Sequence, residues 1–231
     1  MKTTILSVSF ALFVAAAVAA ESSPKEELAG AVEKLSKQDN YSWNTKTEFG
    51  NFPPGSTDGK ADKEGLIQLS MAFGDNKTEA FLQGSKGAAK SDGEWQSLKD
   101  LSSEQRGPRS FLARILENYK APAVEAADLL SKAKEIKKAD DAFSADLTEE
   151  GAKSLLMFRR RGGDAPEAKN AKGSVKFWVK DGVLSKYQYK LEGTINFGGE
   201  DRDVDRTTTI ELKDLGKTKI EMPEDAKKKL S

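Results

Sequence analysis

The chain has 231 residues, with 37 basic and 37 acidic side chains, and its formal net charge at pH 7 is zero. It contains no histidine and no cysteine, which excludes disulfides, thiol catalysis and zinc sites built on those two residue types. The balanced charge gives no overall field that would attract nucleic acid, so we expect no nucleic-acid partner.

The first twenty residues predict export. Lys2 precedes an uncharged apolar run at 5–18, and small residues lead up to Glu21. This arrangement is typical of a cleavable signal peptide at 1–20, because a membrane span needs about 20 apolar residues. A bacterial lipoprotein would need a cysteine at the cleavage point. We therefore expect a periplasmic or secreted protein, with residues 21–231 forming one domain and with peripheral membrane contact at most.

A helix and a strand open the predicted domain. Ser23 and Glu26 are spaced as a capping box, and Pro24 stands at the first helical position. Apolar residues then recur at helical spacing as far as Leu35. Beyond the helix, apolar and polar residues alternate over 40–49, which predicts a half-buried strand.

The next section reads as a loop followed by an antiparallel meander. The stretch 50–65 is rich in proline, glycine and charge, which predicts a loop. Residues 66–73 alternate again and predict a strand. Turn signals that contain Gly and Asp then separate three further strand candidates, TEAFLQ, KGAAKS and EWQSL.

The middle of the chain is predicted to be helical. Gly107-Pro108 precedes an apolar stripe at helical spacing in 111–119, and Pro122 begins a second such segment. After two short strand candidates, Thr148 and the acidic residues that follow it mark the start of another helix. The strand candidates are KEIKK and AFSADL.

The C-terminal part returns to strands, beginning with a hairpin whose two faces differ. Phe177 lies on an apolar face that alternates with lysines, and Asp181-Gly182 suits a tight turn. After the turn, Tyr187 and Tyr189 share an apolar face opposite lysine and glutamine. Further strands are predicted at 203–212 and 216–223, before a charged tail at 224–231.

These patterns amount to about eleven strands and four helices. Neighbouring strands are joined by hairpins rather than by crossover helices, so the fold class is α+β with an antiparallel sheet. The high charged fraction of 32% indicates an economical core, such as one sheet with a single covered face.

Carboxylates are the main remaining candidates for catalysis or metal binding. Asp140 and Asp141 are adjacent, and Asp201, Asp203 and Asp205 alternate along a strand start with arginines between them. The second group lacks the spacing and the closing glutamate of a calcium loop, and a solvated strand edge explains it better. We expect no catalytic residue, no metal site and no cofactor, and we do not expect an enzyme.

The triplet Arg159, Arg160 and Arg161 is the best candidate for an anion site. Guanidinium groups bind phosphate and other anions in a bidentate manner, and a flexible Gly-Gly follows the triplet. A solvated helix end, where cations complement the helix dipole, is the favoured alternative.

Three short segments carry a resemblance to a known family. They are FWVKDGVL at 177–184, LGKTKIEMP at 215–223 and LTEEGA at 147–152. With the order of elements around them, they resemble the LolA-like periplasmic lipoprotein-carrier superfamily, which includes lipid-binding envelope proteins. The resemblance implies an incomplete antiparallel half-barrel of about eleven strands, with helices across its concave face and an apolar cavity beneath them.

The apolar faces of the strands and of the helices at 111–133 could either fill a core or line that cavity. Both alternatives remain open from the sequence. The residues predicted to line a ligand cavity are Trp43, Ile67, Leu69, Met71, Phe73, Leu112, Ile115, Leu116, Phe177, Tyr187 and Tyr189.

The sequence and the resemblance together predict a binder or carrier of a lipid, another amphiphile or a lipidated protein. The alternative is a non-enzymatic interaction module that presents the same fold to an envelope protein. In either case we expect a monomer.

Overall fold

The computed structural model describes residues 22–50, 52–74, 76–103, 107–157, 168–197 and 199–230. The predicted signal peptide at 1–20 lies outside the described residues, and so do Arg159, Arg160 and Arg161. Export and anion binding by the arginine triplet therefore stay predictions.

The described part of the chain forms one antiparallel sheet of eleven strands, accompanied by six helices. The strands are β1 (Asn40–Phe49), β2 (Phe52–Asp62), β3 (Leu66–Phe73), β4 (Asn76–Gln83), β5 (Lys86–Ser91), β6 (Glu94–Ser97), β7 (Lys137–Ala139), β8 (Ala142–Asp146), β9 (Ala168–Lys180), β10 (Val183–Phe197) and β11 (Glu200–Lys213). The helices are α1 (Pro24–Ser36), α2 (Leu98–Ser102), α3 (Pro108–Glu117), α4 (Pro122–Lys132), α5 (Glu149–Leu156) and α6 (Glu224–Leu230).

Two meanders meet at the centre of the sheet. The spatial order is β6-β5-β4-β3-β2-β1-β11-β10-β9-β8-β7, so β1 pairs with the last strand as well as with β2. The two ends of this order, β6 and β7, do not pair with each other, and the sheet is open. The predicted α+β fold with an incomplete eleven-stranded antiparallel barrel is confirmed.

The sequence patterns fix the local structure where they are strongest. Ser23 and Glu26 form the capping box at the start of α1. Asp181 and Gly182 both adopt positive φ, at 54° and 73°, which is the backbone that a two-residue hairpin turn requires. In the strands beside this turn, Phe177 and Tyr187 are directly paired and fully buried.

The predicted loop at 50–65 was wrong, because most of it forms β2. The prediction of a strand at 216–223 was also wrong. The number of strands still equals the predicted eleven, because the unpredicted β2 compensates for the missing strand at 216–223. One glycine of β2 has a packing role. Gly59 is the register partner of Trp43, and a Cβ atom on Gly59 would lie 2.1 Å from Cζ2 of that indole.

Two helices were not predicted. The short helix α2 begins after Ser97, whose hydroxyl caps it. The charged tail at 224–231 forms α6 over most of its length. Ala226 and Leu230 of α6 pack against Phe81 and Ala88 on the outer face of the sheet, so the few apolar residues of the tail are enough to fold it there.

The main core lies on the inner, concave face of the sheet. Helices α1 and α5 pack on β9 and β10, and α4 packs between α1 and α5. The large buried side chains of the central strands belong to this one cluster, including Trp43, Leu69, Phe177, Tyr187 and Ile210. The helices therefore cover the apolar face that the sequence predicted.

Replacing Gly59 by alanine tests the packing of β2 against β1. The added methyl group collides with the buried Trp43 ring, so we expect Gly59→Ala to lower the free energy of unfolding by about 1–3 kcal/mol. Gly30→Ala in α1 is the matched control, because a Cβ atom there meets nothing within 4 Å. It should stabilise the protein by about 0.5–1 kcal/mol. Urea unfolding curves measure both changes, and a neutral Gly59→Ala would contradict this packing.

Candidate functional site

The residues predicted to line a cavity mostly form the core of the inner face. Trp43, Leu69, Met71, Leu116, Phe177, Tyr187 and Tyr189 are buried. Ile67, Leu112 and Ile115 are partly buried and pack against the same cluster. The side chain of Phe73 lies outside what the structure describes. The centre of the inner face is thus occupied by the protein's own side chains.

The hydroxyl groups of all four tyrosines of the chain gather where α3 ends and α4 begins. Tyr187 Oη donates a hydrogen bond of 2.7 Å to Glu125 Oε2, and Tyr189 Oη donates one of 3.1 Å to Glu125 Oε1. Trp43 Nε1 donates to the hydroxyl of Tyr119 at 3.2 Å. The hydroxyl of the remaining tyrosine, Tyr41, lies near the backbone of Ala123. We call this group the tyrosine–glutamate cluster; it comprises Tyr41, Trp43, Tyr119, Glu125, Tyr187 and Tyr189.

Simple local rules place the members of this cluster. Tyr187 and Tyr189 are two residues apart on β10, so both side chains point to the inner face. Pro122 begins α4, which puts Glu125 in the first turn of that helix. The buried tyrosine hydroxyls need hydrogen-bond partners, and the Glu125 carboxylate supplies two of them.

Burial controls the titration of the cluster. It raises the pKa of the Glu125 carboxyl, and the hydrogen bonds from Tyr187 and Tyr189 and the charge of Arg206 offset this only in part. Burial and the neighbouring Glu125 also raise the pKa of Tyr187 and Tyr189. The tyrosines therefore stay protonated and act as donors to Glu125 at neutral pH.

Arg206 adds a second tie between the sheet and the helices. It lies on β11 and donates from Nη2 to the Leu155 carbonyl oxygen at 3.3 Å, near the end of α5. Its Nε is buried and has no hydrogen-bond partner among the described residues. Glu125 and Arg206 together connect α4 and α5 to neighbouring strands of the sheet.

An open space remains beside this filled centre. A cleft of about 490 Å³ lies between the C-terminal half of α3 and strands β3 to β5. Its apolar residues are Ile67, Leu82, Leu98, Leu116 and Tyr119, and its polar rim comprises Gly84, Ser85, Lys86, Arg114, Glu117 and Asn118. Of the predicted lining residues whose side chains are described, Ile67 and Leu116 line this cleft, whereas the others pack in the core around it.

Glu125 and the cleft residues Leu82, Leu98 and Arg114 were missed by the sequence reasoning. Glu125 occupies a polar position of an amphipathic helix and looks like an ordinary surface residue in sequence. The pair Tyr187 and Tyr189 was the available signal, because two tyrosines on the buried face of a strand require acceptors from the element that covers them.

The alternating aspartates of β11, Asp201, Asp203 and Asp205, are used in surface contacts. Asp201 accepts hydrogen bonds from Asn196 and Lys169, and Asp203 accepts one from Thr194. Asp205 lies 3.5 Å from Lys190 Nζ. Within the described ranges, no group of three metal-ligating side chains is placed to hold a metal ion. No helix there combines the length and the apolar character that crossing a membrane requires.

Comparison with known proteins identifies similar solved structures at low sequence identity. LprF from Mycobacterium bovis is 12% identical, with a TM-score of 0.42, over 87% of this chain and 96% of that one. The LolA superfamily protein NE2245 from Nitrosomonas europaea is 13% identical, with a TM-score of 0.36 and the same coverage. A chain of the Pseudomonas aeruginosa MucA/MucB complex is 9% identical, with a TM-score of 0.30, over 81% of this chain and 93% of that one. No protein-family model and no curated protein matches the sequence.

Glu125→Gln tests the titration of the tyrosine–glutamate cluster. Because the native pKa of Glu125 lies above its unfolded value, the native state binds more protons and its stability falls as the pH rises through the native pKa. The glutamine variant lacks this loss. We therefore expect its free energy of unfolding to rise relative to the parent between acid and neutral pH.

Glu149→Gln is the control for this measurement, since Lys153 lowers the pKa of that exposed carboxyl. The free energy of unfolding of Glu149→Gln should fall relative to that of the parent as the pH rises. Denaturant unfolding at a series of pH values measures both. A Glu125→Gln difference that does not vary with pH would show that this carboxyl is not desolvated.

Proposed function

We propose that this protein is an exported, non-catalytic binder or carrier of a lipid or another amphiphile, and that the hydrocarbon chain binds in the cleft beneath α3. The observation that carries the proposal is the cleft itself. Its volume of about 490 Å³ falls within the roughly 300–1,000 Å³ of typical small-molecule sites. An apolar floor and a polar rim suit a ligand with one apolar and one polar end.

The position of α3 supports entry from the side. Helix α3 packs on α2, and its Ala113 and Leu116 reach the apolar cluster. Its N-cap residue, Gly107, provides no side-chain hydrogen bond. The hydrogen bonds to Glu125 hold α4, and the bond from Trp43 to Tyr119 ties the C-terminal end of α3 to the sheet. A chain that enters under α3 beside Tyr119 can leave both sets of bonds intact.

Binding should depend on chain length and on the floor of the cleft. Each added methylene is expected to strengthen binding of an alkanoate about fourfold until the cleft is full, because burial of a methylene is worth about 0.8 kcal/mol. Ile67→Ala removes part of the floor and should weaken decanoate binding about tenfold or more. Isothermal titration with octanoate, nonanoate and decanoate measures both effects.

Leu112→Ala is the matched control. Leu112, like Ile67, packs against the apolar core of the inner face, but it does not line the cleft. The substitution should leave decanoate affinity nearly unchanged. Equal losses in the two variants, or affinity that is independent of chain length, would contradict binding in this cleft.

An interaction module is the second candidate function, and two exposed apolar side chains favour it. Phe111 on α3 and Val124 on α4 are 55% and 58% exposed. A partner protein that binds these two helices would remove both side chains from water. Phe111→Ser combined with Val124→Ser should then abolish a stoichiometric complex with one envelope protein and leave decanoate binding unchanged. A complex that survives both substitutions would argue against these helices as the contact surface.

A further inference from the structure

We infer that the cleft beneath α3 selects an anionic amphiphile, whose carboxylate, phosphate or sulfate head group binds the Arg114 guanidinium. This inference rests on the proposed function and adds the chemical class of the ligand. It follows from the state of Arg114, from the charges around the rim and from the apolar floor beside them.

Arg114 is a partly buried cation that has no carboxylate partner among the described residues. Its Nε donates to the Ser110 carbonyl oxygen at 3.1 Å, which directs the side chain back along α3. Its guanidinium makes no ion pair within 4 Å of any carboxylate that the structure describes. The terminal nitrogens therefore remain available as donors at the edge of the cleft.

The charges of the rim favour an anion. Lys86, in the β4–β5 hairpin, supplies a second cation, and Glu117 is the carboxylate among the described lining residues. The lining therefore carries a net charge of one positive unit. The side-chain amide of Asn118 is already committed to the Arg114 carbonyl oxygen, so it does not compete for the head group.

The apolar floor of the cleft strengthens the preference for an anionic head group. A guanidinium binds carboxylate or phosphate through two parallel hydrogen bonds, and the attraction strengthens where nearby apolar groups exclude water. Ile67, Leu82 and Leu98 provide that apolar surface in the same cleft. A neutral head group gains nothing comparable, and a cationic head group meets repulsion.

Three amphiphiles test the head group: decanoate, decyl glucoside and decyltrimethylammonium. The alkyl chain of decanoate is one methylene shorter than the other two, so a preference for decanoate cannot come from its chain. Isothermal titration of the purified protein should give an affinity for decanoate about tenfold or more above that for the other two, as expected for charge-assisted hydrogen bonds. Arg114→Gln should remove this advantage, and it should change decyl glucoside binding much less than decanoate binding. Arg114→Lys keeps the positive charge and should retain part of the affinity advantage of decanoate.

Two control variants distinguish the effect of Arg114 from that of the overall charge of the protein. Arg109 lies on the same helix as Arg114, but it pairs with Asp92 and does not line the cleft. Arg109→Gln should therefore leave the preference for decanoate intact. Glu117→Gln removes the opposing charge from the rim and should strengthen decanoate binding a few-fold. Circular dichroism of each variant confirms that it is folded.

The outcomes distinguish this inference from the proposed function. Equal affinity for the three probes, or a preference that survives Arg114→Gln, would overturn the anionic selectivity while amphiphile binding stands. Inorganic phosphate that binds as tightly as decanoate would also overturn it, because the site would then not use the chain. Failure of all three amphiphiles to bind would overturn the proposed function as well.

Discussion

The hydrogen bonds from Tyr187 and Tyr189 to Glu125 determine how the inner face of the sheet is closed. Two tyrosines on adjacent inward positions of β10 place their hydroxyls in the core, where they need acceptors. Glu125 provides them at 2.7 and 3.1 Å, which fixes the first turn of α4 over the strand. The aromatic rings then occupy the space below α4, and the open volume lies beside them, under α3.

This arrangement gives the two covering helices different roles. Helix α4 is held by hydrogen bonds that involve a desolvated carboxyl, and moving it would leave the Tyr187 and Tyr189 hydroxyls and Glu125 without partners at considerable cost. Helix α3 contributes apolar contacts from Ala113 and Leu116 and a surface ion pair between Arg109 and Asp92, and neither involves a desolvated carboxyl. In the function we propose, a hydrocarbon chain under α3 replaces apolar contacts with similar ones, so binding there does not require the polar cluster to open.

The parts of the structure that depend on local sequence were predictable, and those that depend on distant contacts were not. The capping box of α1 and the Asp181-Gly182 turn follow from neighbouring residues alone. Strand β2 does not, because the glycine that weakens its strand pattern, Gly59, is there to admit the Trp43 indole. At the site, Ile67 and Leu116 could be predicted from their apolar faces. The role that we propose for Arg114 could not, because it rests on the lack of a carboxylate partner among the described residues and on the cleft beside it.

The structure of the protein with a bound alkanoate would test the central claim most directly. We expect the hydrocarbon chain to lie between Leu116 and Leu82, with both hydrogen bonds to Glu125 retained. A chain found instead among the rings of Phe177, Tyr187 and Tyr189, with α4 displaced and the Glu125 hydrogen bonds broken, would contradict it.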